Sequence, residues 1–495
     1  MDYTKRAVKG AAILLLMYVL AGLFGYFFRM VVARNLDPLQ YGLFYAVFSF
    51  VMFFGLFSDF GLGSAVVRFI PEFQAKKRFD LIKNSITFTF FIQLMFSTII
   101  ALGFFSLSNW LALKYFHNVA AIPVIKIMAF VFWFTTFGVF IASFQGFQKM
   151  FEFSLTNFLK MLFAFIFVLM LFSSIKDARA PAYSYAISSI LVTLFTLAIF
   201  KLKVFPDFFN YKFKINKNLF KTLFRFGIST SLASFSYLIL SYTDTIMLTY
   251  SKTLNDVAFY NVAMPIATVL VWFVAYPLST VLLPMTSEMY SRKNLKSLKN
   301  GMESVQKYCV LFLIPLAILF ITFSEIIIRV LFGEAYVAAS IILRILAIGV
   351  IFYSLSTINV TALYGIKKPE LTAQIISVVA LINVILNIAL IPKFGTIGAA
   401  TATSLSYLVM MIWSSFKLKQ NIKIKLPFIY LIKVVLLGIF IVALIAFLKN
   451  IFVMNYVLEF FLIASIISFV YVFLALLLKL IYAEEVLKLI KSLIK

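Results

Sequence analysis

Two carboxylates, Asp59 and Asp244, lie inside long apolar runs of this 495-residue chain. An ionisable group at the centre of a bilayer costs about 2.5–3.5 kcal/mol on insertion scales, so each asks for a reason. Asp59 stands beside Ser58 and is followed by Gly61, Gly63 and Ser64. Asp244 ends a series, Thr230, Ser234, Tyr237, Ser241, Asp244, whose alternating steps of four and three residues put all five on one helix face. A neighbouring run repeats the alternation with Asn261, Pro265, Thr268 and Trp272, and the first apolar run places Tyr18, Gly22, Gly25 and Arg29 on a face with Tyr26 beside it. Helix packing uses such small and hydroxyl residues. A carboxylate is not needed for packing, which points Asp59 and Asp244 toward a water-filled cavity, one near each end of a path.

The basic residues allow two readings. Arg29, Arg68 and Arg225 fall near the ends of apolar runs, where long cationic side chains snorkel to headgroups. Lys160 and Arg344 lie about two helical turns inside. A cavity that accepts phosphate would use the same groups, because arginine pairs with phosphate oxygens in a two-pronged fashion. Other chemistry is excluded. A single cysteine, Cys309, forms no internal disulfide, and with one histidine, His117, it makes no conventional zinc cluster. No glycine-rich phosphate loop is present, so ATP hydrolysis is not expected, and neither is a cofactor.

The elements that position these groups are apolar helices. The chain is 63% hydrophobic and 13% charged with a mean hydropathy of +1.05, a composition that a bilayer accepts and a soluble core does not. Roughly 20 apolar residues span the hydrocarbon as a helix. Fourteen spans follow: 9–31, 41–67, 85–107, 119–145, 153–174, 182–202, 221–249, 256–285, 304–323, 338–363, 371–391, 395–416, 427–448 and 456–480. The first run, Ala11 to Val32, exceeds the roughly 7–15 residues of a signal-peptide core and reads as a retained helix. The fold class is therefore all-α, a polytopic membrane protein.

Charge orients it. With both termini inside, the inner segments hold 30 of the 44 Lys and Arg residues, which is the cytoplasmic bias expected of a multi-pass protein in the cell membrane. The same bias accounts for the net charge of +26 through anionic headgroups, so no nucleic-acid partner is implied. In the tail from Ala483 to Lys495, Val486, Leu489, Ile490, Leu493 and Ile494 share a face, which suits a helix on the inner membrane surface as well as a frayed end.

Two sets of six helices look alike. Arg34-Asn35-Leu36-Asp37 with Tyr41 precedes helix two, and Lys252-Thr253-Leu254-Asn255 with Tyr260 precedes helix eight. Gly146-Phe147-Gln148-Lys149 follows helix four, and Gly365-Ile366-Lys367-Lys368 follows helix ten. Duplication makes two lobes related by a pseudo-two-fold axis along the membrane normal. The divisions are 1–218, 219–420 and an added pair of helices with the tail, 421–495.

Ala33-Arg34-Asn35-Leu36-Asp37-Pro38-Leu39-Gln40-Tyr41-Gly42, then Asp59-Phe60-Gly61-Leu62-Gly63 and Arg68, resemble the start of the polysaccharide-transporter or oligosaccharide (O-antigen type) flippase family. Asn383, Asn387, Ile391-Pro392-Lys393-Phe394-Gly395, Gly398-Ala399-Ala400 and Ala402-Thr403 resemble its later signature. The resemblance implies a two-lobed exporter of the multidrug/oligosaccharidyl-lipid/polysaccharide superfamily that turns lipid-pyrophosphate-linked oligosaccharides to the outer leaflet by alternating access. Helices one, two, seven and eight would line its cavity. Arg29, Tyr26, Arg68, Lys160, Arg225, Tyr237 and Asn261 are the substrate-binding candidates, and Asp59 and Asp244 the candidates for coupling to a proton or sodium gradient. Membrane lipids and glycan-assembly enzymes are the expected partners. The rival readings are a cation-coupled multidrug exporter of the same superfamily and a polytopic glycosyltransferase or ligase. The first is at odds with the added helix pair and the second with the short outer loops.

Overall fold

A computed structural model describes residues 3–214, 216–422, 424, 428–451 and 456–480, and these contain helices and no strands. Helices alone satisfy every backbone group in hydrocarbon, and the apolar runs are long enough to form them. Helix α1 is Tyr3–Asn35. Helix α2 covers 38–75 in pieces, Pro38–Phe53, a turn at Leu56–Asp59 and Leu62–Ala75, so it runs beyond the expected 41–67 and is broken inside it. Then come α3 (Phe79–Ser106), α4 (Ala121–Gly146), α5 (Met150–Leu171), α6 (Arg179–Val204) and α7 (Lys217–Ser251), the last bent by 43° between Ser231 and Ser234. Helices α8 (Leu254–Ser291), α9 (Leu295–Thr322) and α10 (Ser340–Gly365) follow.

Twelve helices among the described residues are long and apolar enough to cross a membrane, and the bent α7 brings a thirteenth. One of the twelve, Pro369–Ile422, holds 54 residues. At 1.5 Å per residue that is roughly 80 Å, far more than a bilayer needs. Gly395 interrupts it with φ 56° and ψ −130°, a conformation reserved for glycine, and so divides it into α11 (369–394) and α12 (396–422). Helices α13 (Phe428–Ile451) and α14 (Tyr456–Leu477) complete fourteen spans. The amphipathic tail from Ala483 lies outside the described residues.

The chain forms two compact units, residues 1–258 and 259–495. In the first, α1 packs on α5, α5 on α6, and α2 on both α4 and α7. Its core includes Val66, Ile70, Ile82, Val139 and Phe144, joined by Phe200 at the end of α6 and by Phe205 and Phe208 of the stretch after it, which folds back onto that core. Lys83 Nζ donates to the Tyr211 carbonyl and fastens the same stretch. In the second unit, α10 packs on α9 and on the α11–α12 pair, while α13 and α14 dock on α9. Val434, Leu437, Ile441 and Ile445 meet Val310 and Leu311 there, and the Tyr471 hydroxyl donates to the Leu311 carbonyl at 2.7 Å.

The expected repeat appears in matching turns. After α2, Lys77 takes φ 53° and the Arg78 amide donates to the Phe73 carbonyl at 2.8 Å; after α8, Lys293 takes φ 55° and the Asn294 amide donates to Met289 at 2.9 Å. After α4, Gln148 has φ 60° and Lys149 bonds back to Phe144 at 2.8 Å; after α10, Lys367 has φ 61° and Lys368 bonds back to Leu363 at 2.9 Å. All four are left-handed helix ends closed by a six-to-one bond. Packing repeats as well. A Cβ on Gly146 would lie 3.0 Å from the Ile70 side chain, and one on Gly365 would lie 1.9 Å from Thr286 Oγ1. Gly365→Ala is therefore expected to destabilise the folded protein by about 1–3 kcal/mol through overpacking. Gly22→Ala, with open space around it, is expected to lower the thermal-unfolding midpoint not at all; melts of the two variants in detergent check both.

Candidate functional site

Arg29 lies in α1 with its guanidinium carbon 4.5 Å from the centre of the Tyr45 ring. Tyr41 and Tyr185 also stand in its field, and Tyr26 and Tyr242 feel its charge in turn. Local structure explains the setting. Asp37 Oδ1 accepts the Gln40 amide at 2.8 Å and Pro38 occupies the first turn, so the start of α2 is fixed by an ordinary cap. One turn apart on that helix, Tyr41 and Tyr45 then share a face, with ring centroids 4.6 Å apart and both rings buried. Gln40 Oε1 accepts the Ala178 amide at 3.1 Å, tying this end of α2 to the start of α6, which carries Tyr185. Gly42 lets α2 pass the backbone at Leu254, where a Cβ would lie 1.8 Å from the carbonyl oxygen. The result is a guanidinium nested among phenols from α1, α2, α6 and α7, a setting that suits a planar cation stacked on aromatic faces.

Of this group, sequence reasoning singled out Arg29 and Tyr26 as candidates, quoted Tyr41 only within a motif, and did not name Tyr45, Tyr185 or Tyr242. Tyr41 and Tyr45 carried a signal in their four-residue spacing; Tyr185 and Tyr242 reach the nest only through tertiary packing. Tyr242 also lies in the field of Tyr237, which connects the α7 series to the nest. Along that series Ser234, Tyr237 and Ser241 are exposed, Thr230 is half-buried and Asp244 is 3% exposed. The Ser241 hydroxyl donates to the Tyr237 carbonyl at 2.8 Å and Thr230 Oγ1 to the Gly227 carbonyl at 2.9 Å, so these hydroxyls are satisfied by their own helix.

Asp59 is held apart from the nest. Its Oδ1 accepts the Gly63 amide at 2.9 Å and the Gln93 side-chain amide. Lys160 is half-buried on α5; its carbonyl accepts the Ser188 hydroxyl at 2.7 Å, and its ammonium has no hydrogen-bond or ion-pair partner among the described residues. Arg68 is exposed and pairs at 3.5 Å with Glu72, which also pairs at 2.9 Å with the Lys76 ammonium. Arg225 is exposed at the start of α7. Asn261 is half-buried in the second unit.

The second unit carries amide networks of its own. Asn387 Nδ2 donates to Asn383 Oδ1 at 3.1 Å, Asn383 Nδ2 reaches Thr403 Oγ1 at 3.4 Å, and Tyr260 lies 3.4 Å from the same hydroxyl. Gln306 Nε2 donates to Asn359 Oδ1 at 2.7 Å, and Asn359 Nδ2 donates to Ser415 at 2.9 Å and Ser414 at 3.2 Å, joining α9, α10 and α12. Removing one member of a buried pair leaves the other unsatisfied at about 1–3 kcal/mol. Asn359→Ala should accordingly lower the unfolding midpoint by several degrees, whereas Arg68→Ala, whose pair is solvent-exposed, should leave it in place; thermal melts distinguish the two.

Comparison with known proteins fits this architecture. A family described as "Polysaccharide biosynthesis protein" matches residues 7–290, and one described as MatE matches 230–389. An uncharacterized membrane protein of Methanocaldococcus jannaschii is 33% identical over 508 residues, covering 100% of both chains. The "Probable low-salt glycan biosynthesis flippase Agl15" of Haloferax volcanii is 26% identical over 259 residues, 52% of this chain and 53% of that protein. Among solved structures, the lipid II flippase MurJ in an inward-closed conformation superimposes with a TM-score of 0.77 at 17% identity, covering 94% of this chain and 99% of that one. The chain thus belongs to the polysaccharide biosynthesis protein family of the multidrug/oligosaccharidyl-lipid/polysaccharide superfamily, multi-pass membrane proteins whose members and fold are those of transporters and flippases rather than enzymes.

Proposed function

We propose that this protein flips a lipid-(pyro)phosphate-linked oligosaccharide from the inner to the outer leaflet of the cell membrane by alternating access, supplying cell-surface polysaccharide or glycoconjugate assembly. The observation that carries the reading is Arg29 in its nest of tyrosines. A permanent cation inside a membrane-spanning helix is expensive, and an anionic cargo gives it a use. Its fork can grip phosphate oxygens while Tyr26 and Tyr45 offer flat apolar faces beside hydroxyl tips. Lys160, with its ammonium unengaged among the described residues, is a second anion-binding candidate, and Tyr237 lends an exposed phenol on α7. The added helices α13 and α14 suit a cargo with a lipid tail, and the Haloferax relative's name supports glycan cargo.

A cation-coupled multidrug exporter is the second reading, favoured by the MatE match over 230–389. Lipid-linked oligosaccharides profiled by mass spectrometry, with and without the gene, separate the two. Accumulation of one intact lipid-linked sugar with loss of a surface glycan supports flipping; unchanged pools with new sensitivity to cationic dyes supports drug export. In the flipping case Arg29→Ala should cut surface glycan by roughly tenfold or more, the equivalent of one charged hydrogen bond lost. Arg29→Lys should recover part of it and Arg68→Ala should be silent.

The lysine distribution supports a cytoplasmic position for both termini. In a Cys309→Ser background, Lys214→Cys should resist an impermeant maleimide in intact cells, and Asn118→Cys should react.

A further inference from the structure

Asp59 stands where α2 breaks. The turn Leu56–Asp59 ends there, Phe60 and Gly61 take left-handed φ values of 47° and 70°, and the helix restarts at Leu62. The N–H groups of Gly63 and Gln93 both fall on Oδ1, and the Gly61 N–H also faces the carboxylate. None of the ion pairs among the described residues includes Asp59. The elements packed against the break are α3 and α7. From α3 come Gln93 and the hydroxyl-bearing face on which it lies; from α7 come Gly227 and Thr230. No charged or titratable side chain acts on the carboxyl from any of them, and the nearest basic residues in sequence on α2 and α7, Arg68 and Arg225, are exposed.

Gln93 supplies the second observation. It is 5% exposed, and while its Nε2 donates to Asp59, its Oε1 is buried with no hydrogen-bond partner. A buried carbonyl oxygen left without a donor is costly, and such an atom in a native site asks what satisfies it. One helical turn away, Thr89 is fully buried with its hydroxyl in the same state. Ser85 and Ser97 extend the face at the same four-residue spacing, both fully buried, and the Ser97 hydroxyl reaches Thr136 of α4.

We propose that Asp59 and Gln93 form a proton-binding site inside the first unit. The carboxylate takes up one proton from water at Oδ2 and passes from charge −1 to neutral, with no other bond made or broken. The new O–H donates to Gln93 Oε1 while the Gln93 N–H stays on Oδ1, so acid and amide close a two-bond ring. The atom left unsatisfied in the ionised form is the one that the protonated form pairs. Neutral Asp59 is also a weaker acceptor for the Gly63 amide, so the helix restart loosens as the proton binds. Gly227 of α7 touches this spot: a Cβ on it would lie 2.7 Å from the Phe60 carbonyl oxygen. Proton uptake is thereby felt at the contact between α2 and α7. Its use in driving transport rests on the proposed function; the site itself does not.

Infrared difference spectra of the full chain in lipid nanodiscs, recorded on acidification, test the site without any substrate. The wild type should show a protonated-carboxyl stretch that is missing in Asp59→Asn and moved to higher frequency in Gln93→Leu, where one bond to the acid carbonyl is gone. A band present in Asp59→Asn, or one unmoved by Gln93→Leu, overturns the assignment. So does a band that sodium suppresses at constant pH, which would make the ligand a metal ion. Should Asp59→Asn not fold, the Gln93→Leu frequency decides alone. Unchanged glycan pools in the host would sink the flippase reading and leave this result untouched.

Discussion

Hydrocarbon offers no hydrogen-bond partner, so wherever a membrane helix departs from a straight course its own residues must close the opened backbone groups. The rest of this structure is arranged around that constraint. At the break in α2, Asp59 caps the restarting helix through the Gly63 amide, and Gly61 lets the chain adopt a left-handed turn while α7 passes at backbone distance through Gly227. At Gly395 a conformation open only to glycine separates α11 from α12, and Gly398 lets the returning helix approach the Leu390 carbonyl, where a Cβ would lie 2.4 Å away. The left-handed ends after α2, α4, α8 and α10 each turn a spare amide back onto the last helical turn. Polar and glycine residues in such a chain are first of all the means by which helices bend and stop.

That view sorts what was legible in the sequence. Hydropathy and lysine placement gave the spans, because length and apolarity are properties of consecutive residues. The repeat was legible at Gly146 and Gly365, since both glycines are required by the same close contact. The breaks were not. The hydrophobic run from Tyr41 to Val67 continues through Phe60 and Gly61, and the turn there depends on a partner, Gln93, that lies on another helix. Asp59 could be recognised as a costly carboxylate, while what surrounds it could not. Asn383, Asn387 and Thr403 were legible only as a family signature, and the Asn383–Thr403 contact needs α11 folded back on α12 at Gly395. Arg29 was visible as a cation inside an apolar run; the tyrosines around it come from four helices, and no local pattern joins Tyr185 and Tyr242 to it.

Arg29 and Asp59, two of the intramembrane ionisable groups of the first unit, do not neutralise each other. Arg29 is set among phenols, and Asp59 among amide donors; neither stands in the field of the other. Had they paired, the ion pair would have been a fixture of the fold, strongly destabilising to break and weakly stabilising to keep. Held apart, the Asp59 carboxylate stays available to a proton, and the guanidinium stays among its phenols, where the proposed anionic cargo would meet it. The two settings differ in kind. Arginine stays charged at any accessible pH, so its site can change only by gaining or losing a ligand. A carboxylate can discharge by itself, and here it does so at a helix restart whose geometry depends on its charge. The proposed cargo site and the proposed trigger lie on consecutive helices, α1 and α2, joined by the short Asp37–Pro38 cap.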